Sequence, residues 1–291
     1  MTSGPFPVNL RPASTVVLLR DSGSGAEVFM VRRHESTAFM GGAHVFPGGR
    51  VDEADHDADD RWCDGIDHAV AQLRDIDRSL AIAYHVAAAR ELFEEAGVLL
   101  ARAPGGGPPD LAGADAQSRI ARYRVDVHDG KDSLRAVCER EGVRLALDAL
   151  LLFAHWVTPP VDTRQFDTRF FLTRVPPHQI PAHDETETTH SSWLTPAGAI
   201  AQSLHGEIVL PPPTWTTLRE LERYSSVDEA LAGARRRRIS RRQPKMVEEN
   251  GRRMLVLPGD PRYPEATDFE QPAETCFVLG DKRWRPEPPP T

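Results

Sequence analysis

The sequence predicts a mixed α/β or α+β fold, on three observations. Runs rich in β-branched and aromatic residues recur along the chain, among them STVVLLR at 14–20, LLLFAHWVTP at 150–159 and TRFFLTRVP at 168–176. Helix-type spacing alternates with them, longest from about Asp77 to Ala96, where Leu80, Ala83, Val86, Ala87, Leu92 and Phe93 form an apolar stripe. Apolar residues are 40% of the 291 and charged residues 27%, a balance that supports a sizeable core in a soluble globular chain.

The elements follow in order. AEVFMVRR at 26–33 is separated from the first run by DSGSG, a turn signature, so the two read as a hairpin or adjacent strands. AHVFPGGRV at 43–51 predicts a short strand ending at Pro47 and a Gly48–Gly49 turn. DEADHDADDRWCDG at 52–65 is acidic and poor in strand signal. The long helix comes next, with Gly97 as its stop. VLLAR at 98–102 reads as a strand and APGGGPPD at 103–110 as a break, and two helical patterns fit about Ala114–Tyr123 and Lys131–Glu141. ETTHSSWL at 187–194 is strand-like. TPAGAIAQSLHG at 195–206 predicts a short helix with Thr195 as N-cap and Pro196 at its first position. IVLPPPTWTTLRELERYSS at 208–226 joins a proline turn to an amphipathic helix, and MLVLPGD with ETCFVLGD suggests a late hairpin. The ending RPEPPPT predicts disorder, and no internal repeat is found.

Composition bounds the function. A net charge of −8 argues against overall attraction to nucleic acid or an anionic membrane, and no apolar run reaches the roughly 18 residues a membrane helix needs. The start MTSGPFPVNLRP has no cationic or apolar leader segment, the ending is not an SKL-type address, and Cys63, Cys138 and Cys276 show no CxxC spacing. A cytoplasmic chain is expected. RRRRISRR at 235–242 reads first as a solvated or linker charge run, then as a contact for the acidic end of a substrate, and last as a nucleic-acid site, since no aromatic interrupts it. Trp156 and Trp193 read as core or interface residues before stacking platforms. GxxxxGK is absent.

One stretch carries chemistry. ARELFEEAGV at 89–98 puts Glu91, Glu94 and Glu95 on neighbouring positions of one helix face. Like charges so placed repel by about 0.2–0.5 kcal/mol per pair. A hard divalent cation suits such a face, because Mg²⁺ prefers oxygen ligands. Arg90 could orient one of the carboxylates, and the Gly48–Gly49 pair lets backbone approach a ligand closely. The alternative is a solvated acidic helix face.

Arg90-Glu91-Leu92-Phe93-Glu94-Glu95-Ala96-Gly97-Val98 matches the REUxEExGU half of the box of the Nudix hydrolases, and Phe46-Pro47-Gly48-Gly49 resembles the glycine turn that opens it. In the full pattern, Gx5Ex7REUxEExGU, the arginine follows the glycine by 14 residues; here Gly49 to Arg90 is 41, an interruption of 27. The pattern's first glutamate falls on Asp55 counted from Gly49 and on Ile82 counted back from Arg90, leaving Asp52 or Asp55 as the partner of Arg90. An interrupted box is similar to the peroxisomal coenzyme A diphosphatase branch. The likeness extends through Phe39–Gly49, Trp156-Val157-Thr158-Pro159 with Arg164, Phe166, Asp167 and Thr168, Trp193-Leu194-Thr195-Pro196, Glu207–Pro212 and Leu257-Pro258-Gly259-Asp260. Of the coenzyme A motif LLTxRSx3Rx3Gx3FPGG, Arg33, Gly42 and Phe46–Gly49 fit, whereas His34 and Ala38 depart from it.

The resemblance implies a Nudix α/β/α sandwich with a mixed sheet: a Nudix domain over 8–203, an insert at about 51–78, added helices at about 103–149, a C-terminal extension over 204–291 and a disordered tail at 284–291. It implies a Mg²⁺- or Mn²⁺-dependent hydrolase that cleaves the diphosphate of a small nucleotide derivative, with no nucleic-acid or membrane partner, and it admits a homodimer. Coenzyme A or acyl-coenzyme A is the first substrate, giving 3′,5′-ADP and (acyl)phosphopantetheine. ADP-ribose or a nucleotide sugar is the rival, and a non-catalytic nucleotide sensor the second. Implied metal ligands are Glu91, Glu94, Glu95 and the Gly49 carbonyl, with Glu95 central. Glu94, Glu95 and Arg90 are also implied catalytic residues, joined by a distant acid for which Glu187 aligns best, with Asp184 and Glu185 as rivals. Arg33, His44 and Gly48 are the candidate substrate contacts, although a plain hydrogen-bonding role for His44, as for His34, is the first reading.

Overall fold

The computed structural model describes residues 10–35, 41–160, 165–184, 187–265, 274–280 and 283–287. β1 (Leu10–Ser22) and β2 (Gly25–Arg33) form the expected hairpin, and Gly25 turns it at φ 105°. β3 (His44–Val45) pairs with β2, and β4 (Gly48–Arg50) pairs antiparallel with β1. The Gly48–Gly49 turn is therefore a strand. Neither glycine has a positive φ; both are needed for close approach, since a Cβ on Gly48 would overlap Ser14 and Thr15 of β1.

The insert folds as a 3-10 turn (Glu53–His56), β5 (Cys63–Asp64) and α1 (Ile66–Gln72). α2 (Arg78–Ala96) follows, capped by the Asp77 side chain and ended by Gly97 at φ 70°. β6 (Ala101–Arg102), α3 (Ala114–His128), α4 (Leu134–Glu141) and β7 (Arg144–Ala146) come next. β5, β7 and β6 make a small sheet. β8 (Leu151–Val157), β9 (Gln165–Arg174) and β10 (Thr188–Leu194) complete the main sheet with β11 (Arg241–Arg242), in the order β10-β2-β1-β9-β8-β11. β1 runs parallel to β9 and antiparallel to β2, so the sheet is mixed. α5 (Pro196–Leu204), α6 (Pro212–Leu221) and α7 (Val227–Arg236) lie between β10 and β11. β12 (Lys245–Glu249), β13 (Arg252–Val256), β14 (Cys276–Gly280) and β15 (Arg283–Glu287) form a separate antiparallel sheet.

Alternation along β1 sorts the core into two layers. Val16 and Leu18 pack under α2 with Phe93, whereas Val17 and Leu19 pack on the opposite face with Leu218, Val227 and Leu257. The layers are helices, sheet, then helices with the second sheet, as the sandwich requires. The hydroxyl of Ser14 on β1 donates to the Tyr84 carbonyl at 2.6 Å and seats α2 on the sheet.

Four further expectations change. α2 carries no simple apolar stripe: Ala81 through Ala89 are all buried, because Ile66 and Ala69 of the insert and Ile120, Tyr123 and Val127 of α3 cover its outer side. VLLAR at 98–102 is strand only at its last two residues. Of the tail expected to be disordered, 284–287 belong to β15, which pairs with β14 and tolerates Pro286 as an edge strand, and 288–291 lie outside the described residues. Lastly, the basic run is not a solvated charge stretch throughout. Arg235 and Arg236 end α7 in solvent, but Arg237 and Arg242 both donate to the buried Glu220, at 2.7 and 2.6 Å. Among the described residues, no helix is long and apolar enough to cross a membrane.

The Glu220 carboxylate is only 6% exposed and faces two guanidinium groups. Its removal would strand two buried cations, so Glu220→Ala should cost about 3 kcal/mol or more of stability, read from the urea midpoint.

Candidate active site

The acidic run occupies the last two turns of α2, where the helix passes β4. Arg90 is the hub. Its Nε donates to Asp55 Oδ1 at 2.9 Å and its Nη2 to Asp55 Oδ2 at 3.0 Å and to the Arg50 carbonyl at 2.8 Å. Its Nη1 donates to Glu91 at 2.9 Å and to Glu94 at 3.2 Å. Asp55 is 2% exposed and lies in the 3-10 turn that opens the insert. Asp55, the residue counted forward from Gly49, thus takes the place of the pattern's first glutamate. Asp52 stays 3.7 Å from Arg90, and Ile82 is a core residue.

The paired glycines of β4 face the glutamates. The Gly48 amide donates to Glu95 Oε2 at 2.9 Å, and a Cβ on Gly49 would overlap the Glu91 carboxylate. Backbone and acid are therefore in direct contact across the seam between β4 and α2. Arg124 on α3 donates to the Glu94 carbonyl at 2.7 Å, a cation well placed at the helix C-terminus.

Burial raises the pKa of all three glutamates. Glu91 is pushed up to about 7 by desolvation, with Glu94 and Asp55 adding to the effect against the pull of Arg90. Glu95, 6% exposed, is held well above the ordinary range by burial and then by Glu91, while the Gly48 amide and Arg33 pull it down and Glu187 pushes it up. Glu94 moves up by burial, against Arg90. One guanidinium does not neutralise this many acids. The donor set is all oxygen, which fits a hard divalent cation, and a cation would favour the charged forms that burial disfavours. Among the described residues, no three such side chains already surround one point at ligating distance; Glu91 and Glu94 meet at Arg90, and Glu95 meets the Gly48 amide.

The other predicted residues divide. Gly48 and Arg33 line a pocket of about 390 Å³, and the Arg33 Nε is buried without a partner. His44 is not among the pocket residues. It is buried on β3, and burial, then Arg32 and His190, lower its pKa to about 4, so it is neutral at pH 7 and supplies no charge to a phosphate. Glu187 is exposed at the foot of β10, with its carbonyl accepting from the His34 amide at 2.9 Å, and its charge acts on Glu95. Its rival Asp184 is engaged with Thr188, accepting from the amide at 2.9 Å and the hydroxyl at 2.7 Å; Glu185 lies outside the described residues.

Trp156, expected in the core or an interface, is buried and also lines the pocket. The remaining pocket walls were not anticipated. Phe166, the prolines at 211–213 and residues of β12, β13 and β15 supply them, and the proline turn was the one sequence signal that could have pointed there.

Comparison with known proteins agrees with this geometry. The model of a family described as the NUDT19 Nudix domain matches residues 71–221. Human acyl-coenzyme A diphosphatase NUDT19 is 30% identical over 280 residues, covering 84% of this chain and 74% of that protein. The Xenopus laevis protein of the same name is 25% identical over 316 residues, covering 96% and 82%. Among solved structures, a NUDIX hydrolase from Alicyclobacillus acidocaldarius superposes with a TM-score of 0.63 at 27% identity, over 77% of this chain and 96% of that one.

Two outcomes test the site. Asp55→Asn removes one charge and weakens the fork on Arg90; it should cost about 2 kcal/mol in stability and reduce turnover about 10- to 100-fold, as loss of an orienting partner does. The second concerns pH. The folded-state pKa of Glu91 lies at about 7, above its ordinary value of 4.5, so the folded chain holds extra protons in that window and loses stability as pH rises through it. With EDTA present, urea midpoints measured from about pH 5 to about pH 8 should fall more steeply for the unaltered protein than for Glu91→Gln.

Proposed function

The chain belongs to the Nudix hydrolase family, and on that premise we propose that it is a divalent-cation-dependent diphosphatase of coenzyme A and its acyl thioesters. The observation that carries the proposal is the convergence of Glu91 and Glu95 on the paired glycines of β4, at the edge of a pocket that holds Arg33. The human and Xenopus laevis relatives are named acyl-coenzyme A diphosphatases, and the match to the human one runs over most of both chains.

Nudix hydrolases use divalent metal ions, and Mg²⁺ or Mn²⁺ suits the oxygen donors here. Glu91, Glu94, Glu95 and the Gly49 carbonyl would hold the ion. When bound, it supplies charge neutralisation on the diphosphate and lowers the pKa of a coordinated water. The protein's own part is positional. Asp55 fixes the Arg90 guanidinium, and Arg90 in turn holds the Glu91 and Glu94 carboxylates at 2.9 and 3.2 Å. The Gly48 amide fixes the rotamer of Glu95. Arg33, whose charge already acts on Glu95, meets the diphosphate oxygens. Glu187, exposed beside the same site, is the group in reach to accept a proton from the attacking water or to add a ligand. The three cysteines are free and buried, which suits a reducing compartment, and we assign the chain to the cytoplasm.

Incubation with Mg²⁺ or Mn²⁺ and coenzyme A, an acyl-coenzyme A, or ADP-ribose decides the substrate. Release of 3′,5′-ADP together with (acyl)phosphopantetheine is expected, and turnover of ADP-ribose alone would overturn the assignment. Glu95→Gln should lower turnover by about two orders of magnitude or more with the fold intact by circular dichroism.

A further inference from the structure

The pocket of about 390 Å³ beside the acids is asymmetric in charge. Among the described residues that line it, Arg33 is the one ionisable group, and it stands with Gly48, whose amide meets Glu95. The other described lining residues are uncharged. Phe46 and Phe170 pack edge to face at 6.4 Å, Trp156 rises from β8, and Met246, Leu255 and Trp284 of the second sheet close the far wall.

A dinucleotide-like substrate such as coenzyme A offers two different arms on its diphosphate. The nucleotide arm carries a further phosphate dianion. The other arm is neutral, with two amides and, in the thioesters, an alkyl chain. Burying a phosphate away from a cation is strongly unfavourable, so the uncharged part of the described lining disfavours the first arm. It suits the second. The Trp156 side chain is part of this lining, an aromatic surface that suits an uncharged chain. Trp156 is also held in place from behind, since the Arg242 guanidinium lies 5.5 Å from the centre of its ring and is tied to Glu220.

We propose that this pocket takes the neutral amide-bearing arm of the substrate with its acyl chain, and that Met246, Leu255 and Trp284 limit the chain length it accepts. The assignment rests on the coenzyme A reading above and adds to it an orientation: diphosphate at Arg33 and Gly48, nucleotide outside, acyl chain toward the C-terminal sheet. That sheet, which shares no strand with the main one, becomes the part of the chain that sets specificity.

The test uses two fragments as inhibitors of coenzyme A hydrolysis by the full chain: S-decanoyl pantetheine, which has no phosphate, and 3′,5′-ADP. Met246→Trp, which fills the far wall, should weaken inhibition by the thioester about tenfold and leave that by 3′,5′-ADP within about twofold, the unchanged nucleotide constant also reporting an intact fold. Trp284→Ala should do the opposite for chain length, raising kcat/KM for palmitoyl- relative to octanoyl-coenzyme A. Weakened 3′,5′-ADP inhibition with the thioester unaffected would reverse the orientation and overturn the proposal. Equal losses for both fragments, or none for either, would also overturn it. If the unaltered protein hydrolyses neither coenzyme A nor any of its thioesters, the substrate reading itself falls and the orientation with it.

Discussion

Arg90 is one guanidinium among Asp55, Glu91 and Glu94, with Glu95 one helix turn further on, and the geometry of the site depends on how it divides its donors. Five N–H groups in a rigid fork can satisfy one carboxylate bidentately and still reach others. Here the bidentate share goes to Asp55, at 2.9 and 3.0 Å, and the single contacts go to Glu91 and Glu94. A lysine could not do this, because a point charge does not fix the plane of two neighbours at once. The consequence reaches beyond the side chains. The same guanidinium donates to the Arg50 carbonyl, so the end of β4, the start of the insert and the helix are fastened at one point. An insertion between glycine strand and acidic helix is tolerated because its first turn is secured there, and the rest of it then covers the outer side of α2.

How much of this was legible varies with how local the cause is. The acidic face, the Asp77 cap and the Gly97 stop are all local to one helix, and each is found where the residue pattern puts it. Asp55 was legible only as one of two candidates. The spacing rule that should have chosen between it and Asp52 is broken by the insertion, and burial chooses in its place. The Gly-Gly pair was misread as a turn because glycine signals conformational freedom in isolation. Its use as a gap between β1, β4 and α2 exists only once those elements are packed. The pocket was the least legible part: Phe46, Trp156, Pro212, Met246 and Trp284 come from five distant segments, and no periodicity links them. The basic run failed as a solvated stretch for the same reason, since the acid that Arg237 and Arg242 share lies 17 and 22 positions earlier on another helix.

The two buried ionic clusters make a useful contrast, because both are unbalanced. At Glu220, one carboxylate meets two arginines, an excess of positive charge. The surplus is absorbed within the protein: Arg237 lies 4.4 Å from the ring centre of Phe153, and Arg242 5.5 Å from that of Trp156, so each cation rests on an aromatic face. The charge of that cluster is met within the protein, although the Nε and Nη1 of Arg242 are buried without a hydrogen-bond partner. At Arg90 the excess is negative, and nothing comparable absorbs it. Aromatic faces repel anions, the backbone contributes one amide to Glu95, and burial in the first place raises the pKa of all three glutamates. A charge imbalance marks a binding site when the fold leaves it uncompensated, and a structural joint when the fold has already compensated it. By that criterion the same chain uses buried charge in two ways, on opposite faces of one sheet, and the face bearing α2 is the one where the proposed cation would sit.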